Sequence, residues 1–239
     1  MMGFRVAVQF LTRLPVRTEK FTARHIASSY YFYPAIGFAI GLAAAILRRA
    51  LTLIFPDSFS IVIILGFLVW VTGGLHEDGL ADVADAAGGW TREERFQIMK
   101  DARIGAFGAI TLILCVLAKY AALTSMNPAR LDAALMTAQI LGRWAFLPLG
   151  YFTPYSHDGL GSEFAKRIET NTLIVTTLYS GALVILISRV SGAVAFCFAG
   201  IVVAVASTYF RRWIGGITGD CFGATFHFVE IATYASFLA

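Results

Sequence analysis

Asp78, Asp82 and Asp85 stand at i, i+4 and i+7 in the stretch Gly73-Gly74-Leu75-His76-Glu77-Asp78-Gly79-Leu80-Ala81-Asp82-Val83-Ala84-Asp85-Ala86-Ala87-Gly88-Gly89. On a helix this spacing points all three carboxylates along one face, where like charges repel and weaken the helix. A divalent cation reverses that sign. Carboxylate oxygens suit Mg²⁺, which also keeps waters and substrate phosphate oxygens in its shell. Zn²⁺ is a poorer match, because His76 has no Cys or His partner at usable spacing. A solvated acidic loop is the plain alternative, but three acids in register, fenced by glycines and preceded by His76 and Glu77, are more than such a loop needs. Glu77, Asp78 and His76 are the candidates for catalytic work. Asp78, Asp82 and Asp85 are the candidates for metal binding.

A second cluster runs Arg211-Arg212-Trp213-Ile214-Gly215-Gly216-Ile217-Thr218-Gly219-Asp220-Cys221 at the start of the last apolar stretch. Glycines such as Gly216 and Gly219 let backbone N–H groups approach an anion, and a helix N-terminus adds favourable partial charge. Arg211 and Arg212 can pair with phosphate, and Asp220 can complete a metal site. Ordinary flanking of a membrane span would also explain the two arginines. A third stretch, Lys100-Asp101-Ala102-Arg103-Ile104-Gly105-Ala106-Phe107-Gly108, opens another apolar segment. There Lys100, Asp101 and Arg103 are candidates for holding a diphosphate, or they simply mark the membrane boundary.

These residues are set in a chain of unusual composition. Of its 239 residues 58% are hydrophobic and 14% charged, with a mean hydropathy of +0.72. Soluble domains are about 45–50% apolar and about a quarter charged, so lipid is the natural solvent for the excess. The expectation is an all-α, polytopic membrane bundle forming a single domain over residues 1–239, with a motif-bearing loop at about 76–103. Seven spans are expected, near Tyr30–Leu47, Phe59–Leu75, Ile104–Ser125, Leu131–Phe152, Thr172–Ile187, Ser191–Phe210 and Phe222–Leu238. Helices are required because hydrocarbon offers backbone groups no other partner. The turn at Ser188–Val190 is very short, so the fifth and sixth spans form a tight hairpin or a single element divided too finely.

Charge sets the orientation. With the N-terminus inside, Arg5, Arg13, Arg17, Lys20, Arg24, Arg92, Arg95, Lys100, Arg103, Lys166, Arg167, Arg211 and Arg212 fall on the inner side. Only Arg48, Arg49, Arg130 and Arg189 fall outside. That bias predicts a cytoplasmic N-terminus in the cell membrane. All three motif clusters then share the cytoplasmic face. The opening residues have no small-residue cleavage site and read as an amphipathic surface segment rather than a secretory signal. Thr91 followed by Glu94 predicts a capped interfacial helix. The net charge of +4 sits at span ends rather than in a basic run, which argues against nucleic acid. Cys115, Cys197 and Cys221 lack paired spacing, so no disulfide framework is expected.

Three charges lie within spans. A charge near the bilayer centre costs about 2.5–3.5 kcal/mol on insertion scales and normally faces a polar interior. Arg143 and Glu230 (with His227 nearby) either pair as structural glue or, for Arg143, border a substrate cavity, the reading preferred here. Lys119, close to a span end, is expected to snorkel.

Acids for Mg²⁺, arginines and glycine-rich helix starts converge on transfer at a phosphate ester or diphosphate, a reaction dominated by positioning and charge stabilisation. The blocks AVQFLTRLPV, GGLHEDGLADVADAAGG, MKDARIGAFG, GRW and GGITGDCFGA resemble those of the cobalamin synthase family, the adenosylcobinamide-GDP ribazoletransferases, in the same order and over nearly the whole chain. The resemblance implies that adenosylcobinamide-GDP and α-ribazole (or its 5′-phosphate) are joined with release of GMP and with Mg²⁺ as cofactor. A ribazole hydroxyl would attack the phosphorus attached to the cobinamide side chain, with Glu77 or His76 accepting the proton. The aspartate pattern is also similar to that of the CDP-alcohol phosphotransferases, an analogy of mechanism only. Membrane lipid is an expected partner, nucleic acid is not, and a homo-oligomer is compatible with the sequence. A polyprenyl-diphosphate transferase would need an apolar channel for its lipid substrate. A secondary transporter would show paired broken spans in two related halves, and no such repeat is visible.

Overall fold

The computed structural model describes residues 2–16, 22–156 and 168–238. Of the charges used for orientation, Arg17, Lys20, Lys166 and Arg167 lie outside the described residues. The chain is all-α: α1 Met2–Leu11, α2 Ala23–Ser29, α3 Tyr33–Leu51, α4 Asp57–Thr72, α5 Leu75–Asp85, α6 Arg92–Met99, α7 Ala106–Ser125, α8 Pro128–Trp144, α9 Phe146–Phe152, α10 Thr170–Ile214 and α11 Gly219–Ser236. Short 3-10 turns at Tyr30–Phe32 and Ala86–Gly88 extend α2 and α5.

At the centre lies α8, which is buried continuously from Thr137 to its end and on through α9 to Gly150. Its tightest partner is α3. A Cβ at Gly37 would stand 2.2 Å from the Gln139 carbonyl, and one at Gly41 would stand 2.5 Å from Met136 Cα. Small residues at i and i+4 let two backbones touch, which is how helices associate where lipid removes the hydrophobic drive. At the far end Arg48 donates to Asp132 at 2.7 Å and to Asp57 at 3.2 Å, while Arg49 reaches Asp132 at 2.6 Å. The arginines expected at the outer surface therefore clamp α3, α4 and α8 together.

Two hinges shape the rest. Gly73 and Gly74 are both left-handed, with φ of 72° and 74°, and α5 leaves α4 at 90° across them. Consecutive positive φ values are accessible to glycine at little cost, so the Gly-Gly pair makes the corner that starts the acidic helix. The second hinge is Arg189, where φ 50° and ψ −124° interrupt α10. A Cβ at Gly192 would meet the Val184 carbonyl at 2.1 Å, and one at Gly181 would meet the Phe196 ring at 3.7 Å. In a straight helix residues 181 and 196 would be about 22 Å apart, so the chain folds back. Residues 170–188 and 190–214 form an antiparallel hairpin, the first of the two alternatives that the short turn at Ser188–Val190 left open.

Among the described residues three helical segments are long and apolar enough to cross a membrane: Arg24–Leu51, Ala106–Ser125 and Thr170–Ile214. A fourth is added if Asp57–Thr72 and Leu75–Gly88 count as one broken span. Several long apolar helices make this a multi-pass membrane protein. The expected total of seven is not reached by length and composition. α8 carries Arg130, Asp132, Gln139 and Arg143, and α11 carries Asp220, His227 and Glu230. These helices are buried inside the bundle, so polar residues replace the apolar ones that lipid contact would demand. The expected surface segment at the N-terminus is α1, whose Val6, Ala7 and Leu11 pack inward while Phe4 and Phe10 stay exposed. The capping box is present: Thr91 Oγ1 accepts from the Glu94 amide and Glu94 Oε2 accepts from the Thr91 amide, each at 3.2 Å. All three cysteines are free.

Arg189 occupies backbone space that suits glycine and disfavours a side chain with a Cβ. Arg189→Gly is expected to raise stability by about 0.5–1 kcal/mol, read as a later midpoint in SDS unfolding of the detergent-solubilised protein. A lower midpoint would mean that the arginine side chain, and not the backbone, holds the hinge.

Candidate active site

The acidic face is assembled where α5 crosses the start of α11. A Cβ on Gly79 would lie 2.9 Å from both Asp220 Cα and its carbonyl oxygen, and one on Gly223 would lie 2.7 Å from the His76 carbonyl. The two helices run antiparallel, since Gly79 meets Asp220 and His76 meets Gly223. This contact sets Asp220 beside Asp78 and Asp82: Asp82 feels the charges of Asp220, Asp78 and Asp85, and Asp220 feels Asp78. Asp78 is exposed, and Asp82 and Asp220 are half-buried. Thr218, the N-cap of α11, donates to Asp220 Oδ2 at 3.1 Å and steadies its carboxylate.

Asp85 is used differently from its neighbours. Its two oxygens accept the backbone amides of Gly105 and Gly108 at 2.7 and 2.8 Å. Those amides are among the unpaired donors at the N-terminus of α7, where negative charge is favoured. A Cβ at either glycine would come within 2.4 Å of the carboxylate. The glycines in Gly105-Ala106-Phe107-Gly108 thus make room for Asp85, and the acidic helix is pinned to α7.

Beneath the acids lies a buried polar network that the sequence reading largely missed. Lys119 is 6% exposed and pairs with Glu230 Oε2 at 2.5 Å; it does not snorkel. Its ammonium also lies 2.8 Å from His227 Nδ1, so the neutral ring carries its proton on Nε2. That nitrogen is 3.6 Å from Glu77 Oε1. Glu230 Oε1 accepts from Gln139 at 2.8 Å and from Tyr234 at 3.0 Å. A cavity of about 30 Å³ adjoins these groups, lined in part by Glu77, Lys119, Gln139, His227 and Glu230. It has room for one water. The usable signal in the sequence was that Lys119, the fourteenth residue of a twenty-residue helix, lies too far in for its ammonium to escape easily.

Arg143 is fully buried, donates to the carbonyl and side-chain oxygen of Gln139 at 3.2 and 2.7 Å, and lies over the Phe226 ring at 5.2 Å. It meets Glu230 through Gln139 and is not among the residues lining the cavity. His76 is buried too, stacked on Phe226 at 4.3 Å and edge-on to Phe146 at 5.5 Å.

The basic candidates are spread along the rim. Arg103 grips Asp101 through both its Nε and Nη2, the shortest bond being 2.6 Å, and this holds the Asp101 carboxyl down at about 2. Lys100 is exposed. Gly216 serves packing: a Cβ there would stand 2.3 Å from the Pro154 carbonyl, beside the Tyr155–Ile217 bridge that ties the loop after α9 to the loop before α11. Gly219 is exposed at the start of α11. Arg211 and Arg212 end the α10 hairpin and line a cleft in which none of the four aspartates takes part. Among the described residues no three His, Cys, Asp or Glu side chains converge closely enough to enclose a metal by themselves.

The model of the cobalamin-5-phosphate synthase family matches residues 3–238. The chain belongs to this family. A relative from Syntrophobacter fumaroxidans, an adenosylcobinamide-GDP ribazoletransferase, is 35% identical over 95% of this chain and 94% of its own. One of the same name from Stutzerimonas stutzeri is 37% identical over 97% and 96%, and one from Vibrio parahaemolyticus is 32% identical over 99% and 91%. No solved structure matches the chain. The resemblance drawn from the motif blocks thus extends over almost every residue.

Removing one member of a buried ion pair costs about 3–5 kcal/mol, because the other charge is left uncompensated. Lys119→Met is expected to destabilise the protein by that order in SDS unfolding, and Lys119→Met with Glu230→Gln is expected to recover most of it. Equal losses in the single and double variants would show that the two charges are not coupled.

Proposed function

We infer that this chain is an adenosylcobinamide-GDP ribazoletransferase, acting in the membrane in the last steps of cobalamin assembly. The substrates are adenosylcobinamide-GDP and α-ribazole or its 5′-phosphate. The ribazole hydroxyl oxygen forms a bond to the phosphorus that carries the cobinamide side chain, the bond from that phosphorus to GMP breaks, and GMP leaves. Membership of the family over residues 3–238 carries this reading, and the wall of carboxylates at the α5–α11 crossing supports its chemistry.

Asp78, Asp82 and Asp220 are the residues we propose for Mg²⁺. Carboxylates gathered at one crossing without a closed cage, Asp78 exposed and Asp82 and Asp220 half-buried, fit a cation that is bound through one or two carboxylates plus substrate phosphates. When bound, Mg²⁺ neutralises charge on the diphosphate. Asp85, pinned to the α7 amides, positions the helix that bears the other acids. Lys100 and Arg103 at the rim supply positive charge toward the phosphates. The N-terminus of α11, which begins at Gly219, adds favourable partial charge there. Glu77 is the better-placed proton acceptor, being partly exposed with one oxygen facing His227, whereas His76 is enclosed by Phe146 and Phe226. Arg143 acts at one remove, holding Gln139 against Glu230. We further propose seven crossings with a cytoplasmic N-terminus, which puts all of these groups on the side from which nucleotide arrives.

The test is GMP release by purified protein in liposomes given both substrates, with and without Mg²⁺. Release is expected to depend on Mg²⁺ and to fall at least about 100-fold in Asp82→Ala, with unchanged membrane insertion and unfolding midpoint. Wild-type turnover in that variant would remove Asp82 from the metal site. Absence of product from folded wild-type protein would overturn the reaction itself.

A further inference from the structure

A wide cleft in the described part of the bundle is separate from the acidic wall. It has a volume of about 900 Å³ and lies between the two arms of α10 and the α8–α9 junction. Its walls are Trp144, Phe152, Leu173, Leu178 and Val203 with their apolar neighbours, and Arg211 and Arg212 stand at one end. Leu178 and Phe152 are 68% and 56% exposed, so the cleft opens sideways, toward the hydrocarbon. Both arginines are exposed, and no ion pair to either is present among the described residues. A deep apolar trough ending in two exposed guanidinium groups is complementary to an amphiphile with an anionic head.

Two independent features set the depth of that head. Tyr209 and Trp213 stack at 5.4 Å beside the arginines, and the Arg95 guanidinium lies over the Trp213 ring at 5.2 Å. Amphipathic aromatics favour the headgroup level of a bilayer. From Arg211 back to Gly200, the deepest lining residue on that arm, is about 16 Å of helix, close to the hydrocarbon depth of one leaflet, about 15 Å. The cytoplasmic leaflet, on which the proposed orientation places this end, is the one rich in anionic lipid.

We propose that this cleft is a specific site for one anionic phospholipid, its phosphate held by Arg211 and Arg212 and its acyl chain laid between the arms of α10. This gives the two arginines a lipid phosphate in place of the substrate phosphate that their sequence position suggested. Gly200 provides the control: a Cβ there meets nothing within 4 Å, so a larger side chain fills the cleft without disturbing the fold or the arginines.

Native mass spectrometry of the purified full chain, with phosphatidylglycerol or phosphatidylcholine of identical chains added, tests this directly. Wild type is expected to retain one phosphatidylglycerol at least about tenfold more tightly than phosphatidylcholine. Arg211→Gln with Arg212→Gln is expected to abolish that preference, and Gly200→Phe to abolish retention of both lipids. Equal retention by wild type and all variants would overturn the site. Displacement of the lipid by α-ribazole 5′-phosphate at one-to-one stoichiometry would also overturn it and make the cleft a substrate site. A rise in KM for adenosylcobinamide-GDP in the arginine variant, with lipid retention unchanged, would return both arginines to the substrate.

Discussion

The contact of α5 with α11 at Gly79 and Gly223 is the constraint on which the rest of the molecule depends. Only hydrogen fits at either position, and any side chain would move the helices apart by the width of a methyl group or more. That approach puts the backbone of Asp220 against the helix carrying Asp78 and Asp82, and it encloses His76 between aromatic rings. Like charges brought so close resist the approach, so other contacts must hold it. Asp85 does part of this by capping α7, and the Lys119–Glu230 pair holds α7 to α11 beneath.

Among the described residues, the buried charges Lys119, Glu230 and Arg143 are linked in one network, although Arg143 Nε and Nη2 find no hydrogen-bonding partner. Lys119 meets Glu230, Glu230 meets Gln139 and Tyr234, and Gln139 meets Arg143. A membrane interior penalises an isolated ion heavily, but it strengthens a well-paired one. The network therefore serves as a rigid floor under the acidic wall, with His227 as the link to Glu77. Rigidity matters for a phosphoryl-type transfer, in which the protein contributes mainly by fixing where charges stand.

The two arms of α10 are the counterpart of that floor. They are less polar, meet at Gly181 and Gly192, and leave an open trough toward lipid. Polar chemistry is thus gathered where α5, α7, α8 and α11 meet, while the α10 hairpin and the outer face of α7 turn apolar residues outward.

By itself, the sequence determined the helical membrane class, the order of the motif blocks, the capped helix at Thr91 and the family. Each of these rests on local composition or local spacing. It also placed Asp78 and Asp82 on one helix face, because that needs only the helical period. What it could not assign were meetings across the chain. Nothing in the spacing of Gly105 and Gly108 showed that Asp85 would lie against them. Lys119 read as a snorkelling side chain until Glu230 and His227 came within reach. The seven hydropathic stretches became a mixture of lipid-facing helices, a broken pair and buried polar helices, because burial against protein relaxes the need for apolar residues. Residues twenty to more than a hundred positions apart were joined by helix crossings at glycine, and such contacts leave no periodic mark in the sequence.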